Sequence, residues 1–333
     1  MSFMAGSEGR SWQPTMSADT TVSSYWLNWR FFLCALWIFS SMALASYLLW
    51  RYERFDQSEP ESADDRPEPA SLVYEDEAWN TCLIGIDPSW LLSYRIISFL
   101  VLLALIIANV AVDGAEILYF YTQWTFVMVI IYFGIGSCFS FYGCYYKQNK
   151  IEGSTVNHAY LDAEQGIPKS PSVHRQPQAR EIAGAWGYIF QIIFQICAGA
   201  VMLTDSVFWL ILYPFLTSKD YNLDIFMFFM HSINAVFLLG DTTLNCMRLP
   251  KFRFAYFILW TCIFVIFQWI LHACVSMWWP YPFLDLSSQF APLWYLAVAL
   301  MHIPCYGLFC IIVRLKHYWL SRSFPGSCRF VPW

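Results

Sequence analysis

The chain has 333 residues, of which 58% are hydrophobic, 20% aromatic and only 13% charged. An ordinary soluble domain carries about a quarter charged residues, so this composition cannot cover a water-facing surface and places the chain in the membrane class. A net charge of −5, with no basic run, excludes nucleic acid as the natural partner.

In chain order, residues 1–30 read as a short N-terminal segment. Phe31 to Trp50 is the first apolar run of about 20 residues, the length needed to cross a bilayer. Residues 51–95 form an acidic loop, expected to be partly disordered because its Glu-Asp-Pro-Ser stretch cannot bury apolar surface. The 96–145 segment holds two further spans, Ile96 to Val112 and Trp124 to Tyr145. Residues 146–185 lack apolar periodicity and are expected to form a disordered loop. The 186–313 segment holds four spans: Trp186 to Phe215, Phe226 to Cys246, Phe254 to Met277 and Trp294 to Val313. The first of these four is long enough to tilt, or to bend near Asp205. Residues 314–333 are the tail. The predicted fold is therefore all-α, a polytopic membrane bundle of seven transmembrane helices in the plasma membrane or an endomembrane.

Charge supports the count of seven. Of the 19 basic residues, Arg10, Arg30 and Lys219 fall on one side of such a bundle and the other 16 on the opposite side. The positive-inside rule then puts the N-terminus outside or in a lumen and the C-terminus in the cytosol. Ala43-Leu44-Ala45 resembles a signal-peptidase site, but cleavage there would leave the basic loops on the wrong side. The 11 Cys lie almost all in apolar runs, without Cys-x-x-Cys or metal-ligand spacing. Neither a disulfide framework nor a metal or other cofactor is predicted.

The polar residues inside the spans carry the functional signal. His231, Asn234, Asp241 and Asn245 recur at helical spacing along the fifth span, and Thr261, Gln268, His272 and Ser276 along the sixth. Gln191 and Gln195 lead towards Asp205 on the fourth. Buried ionisable groups are expensive in lipid, so these faces turn inward. In the charge-derived topology Thr122, His231 and His272 lie within one or two turns of the outer end, with Tyr281 and Asp285 in a nearby loop. A hydroxyl beside an imidazole is the minimum for nucleophilic hydrolysis. The same residues also serve as interhelical hydrogen-bond glue in membrane bundles.

Three segments extend this reading. Tyr119-Phe120-Tyr121-Thr122-Gln123-Trp124-Thr125, His231-Ser232-Ile233-Asn234 and Met277-Trp278-Trp279-Pro280-Tyr281-Pro282-Phe283-Leu284-Asp285 occur in that order. Together they resemble the motifs of the androgen-induced/FAR-17a-like and rolling-stone superfamily of membrane proteins, and look most like uncharacterised plant members. The androgen-induced branch implies a threonine hydrolase of fatty-acid esters, with Thr122 at the nucleophile's position. The branch's catalytic His falls on Asn234 here, so His231 or His272 would have to replace it as base. The rolling-stone branch, which shares the Asn, implies fusion or adhesion without a known reaction. The expected site is thus Thr122, His231 and His272, supported by Asn234, Asp285, Tyr281 and Gln268. The expected partners are membrane lipid and a hydrophobic lipid substrate. A non-enzymatic membrane protein and, third, a transporter are the alternatives.

Overall fold

The computed structural model describes residues 18–55, 71–164, 180–216 and 225–328. Those residues are helical, joined by short irregular segments and by three isolated bridges, Tyr74–Ile182, Thr81–Asn245 and Leu83–Cys328. The helices are α1 (Ser23–Trp26), α2 (Trp29–Phe55), α3 (Pro88–Asp113), α4 (Tyr121–Glu164), α5 (Ala185–Val207), α6 (Ile225–Met230), α7 (Ile233–Leu244), α8 (Phe254–Cys274) and α9 (Ala291–Ser323). Among the described residues, six segments are long and apolar enough to cross a membrane: Trp29–Glu53, Pro88–Asp113, Tyr121–Tyr146, Ala185–Pro214, Lys251–Cys274 and Ala291–Ser323.

The fifth expected span is not among the six. Phe226 to Cys246 is broken at His231–Ser232 into helices of 6 and 12 residues. The chain nonetheless returns along the bundle through this pair. Arg180 and Gln191, at the start of α5, lie beside Glu77 and the Arg248 carbonyl. Asn245, at the end of α7, pairs with Thr81 at that same end. Lys316 of α9 joins them, its ammonium donating to the carbonyls of Thr242 at 2.9 Å and Asn245 at 3.1 Å. A cation on the last carbonyls of α7 also complements the helix dipole. We call this the basic end.

A further ion-pair group closes the basic end. Arg248 Nε bonds Glu77 at 2.8 Å, Arg253 Nε bonds Glu53 at 2.9 Å and Arg180 bonds Asp76 at 2.6 Å. Burial pushes the Glu77 carboxyl above its ordinary range, and the Arg248 guanidinium works against that shift. Glu77 sits in a 3-10 turn, Glu75–Ala78, so this part of the acidic loop is ordered. Residues 56–70, where the rest of the expected disorder falls, lie outside the described residues.

Three boundaries differ most from the sequence reading, one of them at the C-terminal end, where α9 runs to Ser323 and takes in the first part of the expected tail. α3 starts at Pro88 rather than Ile96, because Asp87 caps it by accepting from the Ser89 N–H at 2.9 Å and Pro88 occupies the first turn. Arg95 therefore lies inside a helix and not in a loop. α4 continues to Glu164, since no proline interrupts the chain before Pro168. Residues 165–179 of the expected second loop lie outside the described residues. Just beyond Asp205, from Phe208 to Leu216, the chain winds as a π-helix containing Pro214, whose missing N–H opens the regular ladder.

Packing puts α5 at the centre, against α4, α7, α8 and α9, while α2 lies on α8 and α9. Phe190, Phe194, Ala198 and Val201 of α5 are fully buried. Close approach to α8 depends on Gly199, where a Cβ would stand 2.2 Å from the Phe257 ring.

Candidate functional site

At the end opposite the basic end, the N-terminal segment and the 275–290 loop tie down the helices. The Tyr25 hydroxyl donates to Asp285 at 2.8 Å and accepts from Trp279 Nε1 at 3.0 Å and the Leu286 N–H at 3.1 Å. Thr20 donates to the His272 carbonyl at 2.7 Å, and Gln268 Nε2 donates to the Tyr119 carbonyl at 2.8 Å. Burial, with the Asp285 carboxylate adding to it, holds the Tyr25 phenol well above its usual value.

The expected site residues divide into separate groups. Thr122, on the first turn of α4, meets Tyr281: its hydroxyl lies 3.3 Å from the Tyr281 hydroxyl and its N–H 3.4 Å from it. Burial raises the Tyr281 phenol above its ordinary value, and the bonds with Thr122 oppose that rise. His272 faces backbone on both sides, with Nδ1 2.7 Å from the Gln268 carbonyl and Nε2 3.2 Å from the Trp278 carbonyl. Its ring lies flat on Trp279 at 3.7 Å. His231 lies flat on Phe208, also at 3.7 Å, and its carbonyl accepts from Trp209 Nε1 at 2.7 Å. Among the described residues neither imidazole is hydrogen-bonded to Thr122. Asn234 turns its Oδ1 onto the Ala235 N–H at 2.8 Å, and Asp285 belongs to the Tyr25 knot.

A hydroxyl–imidazole pair does form, between two other residues. Thr261 of α8 lies 2.9 Å from Nε2 of His302 on α9, and 2.8 Å from the hydroxyl of Tyr121 on α4. His302 Nδ1 is 2.8 Å from the Val298 carbonyl. A carbonyl oxygen only accepts, so the proton sits on Nδ1 and Nε2 is left as the acceptor. The bonds then run in one direction: Tyr121 donates to Thr261, Thr261 donates to His302, and His302 donates to Val298. Thr261 also has the Phe257 carbonyl at 3.3 Å, one turn back, but the imidazole is nearer. His302 is buried and Thr261 half-buried. The Phe257 ring lies under the imidazole at 4.5 Å, and Pro304 interrupts the α9 ladder just beyond it.

Sequence reasoning placed Thr261 in a polar stripe but passed over His302, a single imidazole in an apolar span. The available signal was its place two residues before Pro304, where a helix ladder is already open. No group of three or more His, Cys, Asp or Glu able to hold a metal ion occurs among the described residues.

A second buried cluster lies towards the basic end. Arg95 Nε donates to Asp241 at 2.8 Å, and its Nη1 donates to the Ala78 carbonyl at 2.6 Å and to Ser140 at 2.8 Å. Tyr132 and Asn245 complete the Asp241 carboxylate.

Among the described residues, six long apolar helices make this a multi-pass helical membrane protein. Comparison with family models, with curated proteins and with solved structures finds no match.

Proposed function

We propose that the protein is a membrane-embedded lipid-ester hydrolase with Thr261 as nucleophile and His302 as general base. The observation that carries this reading is the one-directional chain Tyr121–Thr261–His302–Val298. In it the hydroxyl proton already points at a neutral ring nitrogen whose tautomer is set from behind, the arrangement that activates a hydroxyl. Thr261 Oγ1 attacks the ester carbonyl while its proton passes to His302 Nε2. The imidazolium keeps its Nδ1–H on Val298 and returns the other proton to the departing alkoxide. Tyr121, released from Thr261, is the nearest donor for the charge on the carbonyl oxygen. Water then cleaves the acyl-threonine by the same proton path. The substrate reaches this depth from the bilayer, so it is a lipid.

In this reading the broken α6–α7 pair crosses as the fifth of seven passes, with the N-terminus outside and the basic end in the cytosol. The motif resemblance supports ester hydrolysis as the reaction class, although the residues differ from the Thr122 pairing it implies.

Fluorophosphonate labelling of the purified protein tests this directly. Labelling is expected to vanish in Thr261→Ala and persist in Thr122→Ala. Loss in Thr122→Ala alone would move the nucleophile to Thr122, and labelling insensitive to both would remove the hydrolase reading. A non-enzymatic membrane protein is the second reading. It is favoured by contacts that fasten helix ends: the Thr122 hydroxyl on Tyr281, the His272 ring between two backbone carbonyls, and Gln268 Nε2 on the Tyr119 carbonyl.

A further inference from the structure

Helix α9 outruns the membrane. Its 33 residues make a rod about 50 Å long, against about 30 Å for a hydrocarbon core. Ala291 to Val313 holds no Lys, Arg, Asp or Glu, so the surplus of about three to four turns lies at the basic end. There Arg314, Tyr318 and Arg322 recur every four residues and share one exposed face. Beside it, at the same spacing, runs an apolar stripe of Ile311, Leu315 and Trp319, each more than half exposed.

The cations of this face have no carboxylate to neutralise them. No Asp or Glu follows Asp285 in the sequence, and among the described residues neither Arg314 nor Arg322 forms an ion pair. Arg322 Nη1 donates to the Tyr318 hydroxyl at 2.9 Å. The Pro250 carbonyl lies 3.4 Å from the Tyr306 hydroxyl, which places the exposed Lys251 beside α9, two turns before Arg314. The helix end is also held in place. Lys316 bonds the carbonyls of Thr242 and Asn245. Beyond the helix, Gly326 takes a φ of 82°, and the Ile84 N–H bonds the Ser327 carbonyl at 2.8 Å.

A stripe of cations beside a stripe of apolar side chains, where hydrocarbon gives way to headgroups, complements an amphiphile with a negative head. Guanidinium groups suit a phosphate, and acyl chains cover Ile311, Leu315 and Trp319. A soluble acidic partner would leave the apolar stripe unused. We infer that this face of α9 binds an anionic phospholipid. The inference does not depend on the Thr261–His302 reading, nor on which side of the membrane the basic end faces.

The test uses the purified full chain in phosphatidylcholine nanodiscs with two photoactivatable, clickable probes of identical acyl chains, a phosphatidylserine and a phosphatidylcholine. Peptides from residues 308–323 are expected to take up the serine probe at least about fivefold more than the choline probe, the preference that one cation confers. Arg314→Gln combined with Arg322→Gln should bring the two probes level at an unchanged melting temperature. Arg314→Lys combined with Arg322→Lys should keep the preference, and so should Thr261→Ala. Glycerophosphoserine, the headgroup without acyl chains, should not compete, because it leaves the apolar stripe empty. Equal uptake of both probes, a preference untouched by the double glutamine variant, or competition by glycerophosphoserine would overturn the inference. So would a preference that emerges only when the six carboxylates of residues 56–70 are replaced by amides, which would make that segment the occupant.

Discussion

Arg95 and Asp241 meet at 2.8 Å with both side chains fully withdrawn from the surface. Their partners come from three places in the chain: the Ala78 carbonyl, Tyr132, the Gly136 carbonyl and Ser140 of α4, and Asn245 at the end of α7. One ion pair thus joins α3, α4, α7 and the ordered part of the acidic loop.

Removing one member of such a pair strands the other charge, at about 3–5 kcal/mol, whereas replacing both by apolar residues of similar volume is often nearly neutral. Asp241→Leu is therefore expected to abolish or sharply reduce the folded yield in detergent. Arg95→Met combined with Asp241→Leu should recover most of it. Size-exclusion profiles and thermal unfolding of the single and double variants check this, and a double variant as damaged as the single would contradict it.

Hydrolysis should depend on the α8–α9 pair and not on the fastening residues. Thr261→Ala and His302→Gln are expected to reduce turnover of a fluorogenic lipid ester in proteoliposomes by about 10²–10⁴-fold, the usual contribution of a general base and its nucleophile. Thr261→Ser keeps the hydroxyl and should retain measurable turnover. His272→Ala should lower the melting temperature and leave turnover per folded molecule unchanged.

The Tyr25 knot gives a pH signature. Its phenol is raised in the folded state by burial and by Asp285, so folding is favoured fully below the unfolded value of about 10. That stabilisation is lost as the pH climbs from there towards the folded value, because the unfolded chain releases the proton first. Melting temperature should fall above about pH 10, and Tyr25→Phe should flatten that part of the fall. Below pH 9 the same variant should be less stable by about 1–3 kcal/mol, since the Trp279 and Leu286 donors lose their acceptor.

Gly199 links packing to the proposed chemistry. A Cβ there would overlap the Phe257 ring at 2.2 Å, and that ring underlies His302 at 4.5 Å. Gly199→Val should destabilise by about 1–3 kcal/mol, as overpacked cores do. It should also lower hydrolysis more than thermal stability alone explains, which parallel turnover and melting measurements on the variant would show.

The membrane class and the six long helices were legible in composition and in runs of apolar residues, because those signals are local. The start of α3 was legible too, in Asp87-Pro88-Ser89, but an apolar-run count overlooks a cap that precedes Arg95. Pairings between distant helices were not legible. Helical spacing puts Thr261 on an inward face, but only the α8–α9 contact shows that His302 meets it. The shared depth assigned to Thr122 and His272 brings them to one end of the bundle and stops there. Their partners turn out to be a loop tyrosine and backbone carbonyls, which carry no periodic pattern.

The break at His231–Ser232 also bears on how the protein is made. Neither a 6-residue nor a 12-residue helix presents enough continuous apolar length for a translocon to release it into lipid alone. The pair packs on α3, α4 and α5, which emerge from the ribosome earlier, and also on α9, which emerges last. In the proposed seven-pass topology, membrane integration of this segment is accordingly a late, assembly-dependent event. A topology reporter fused just after residue 250 would read a different side from one fused beyond α9, with the difference arising from synthesis and not from the finished fold.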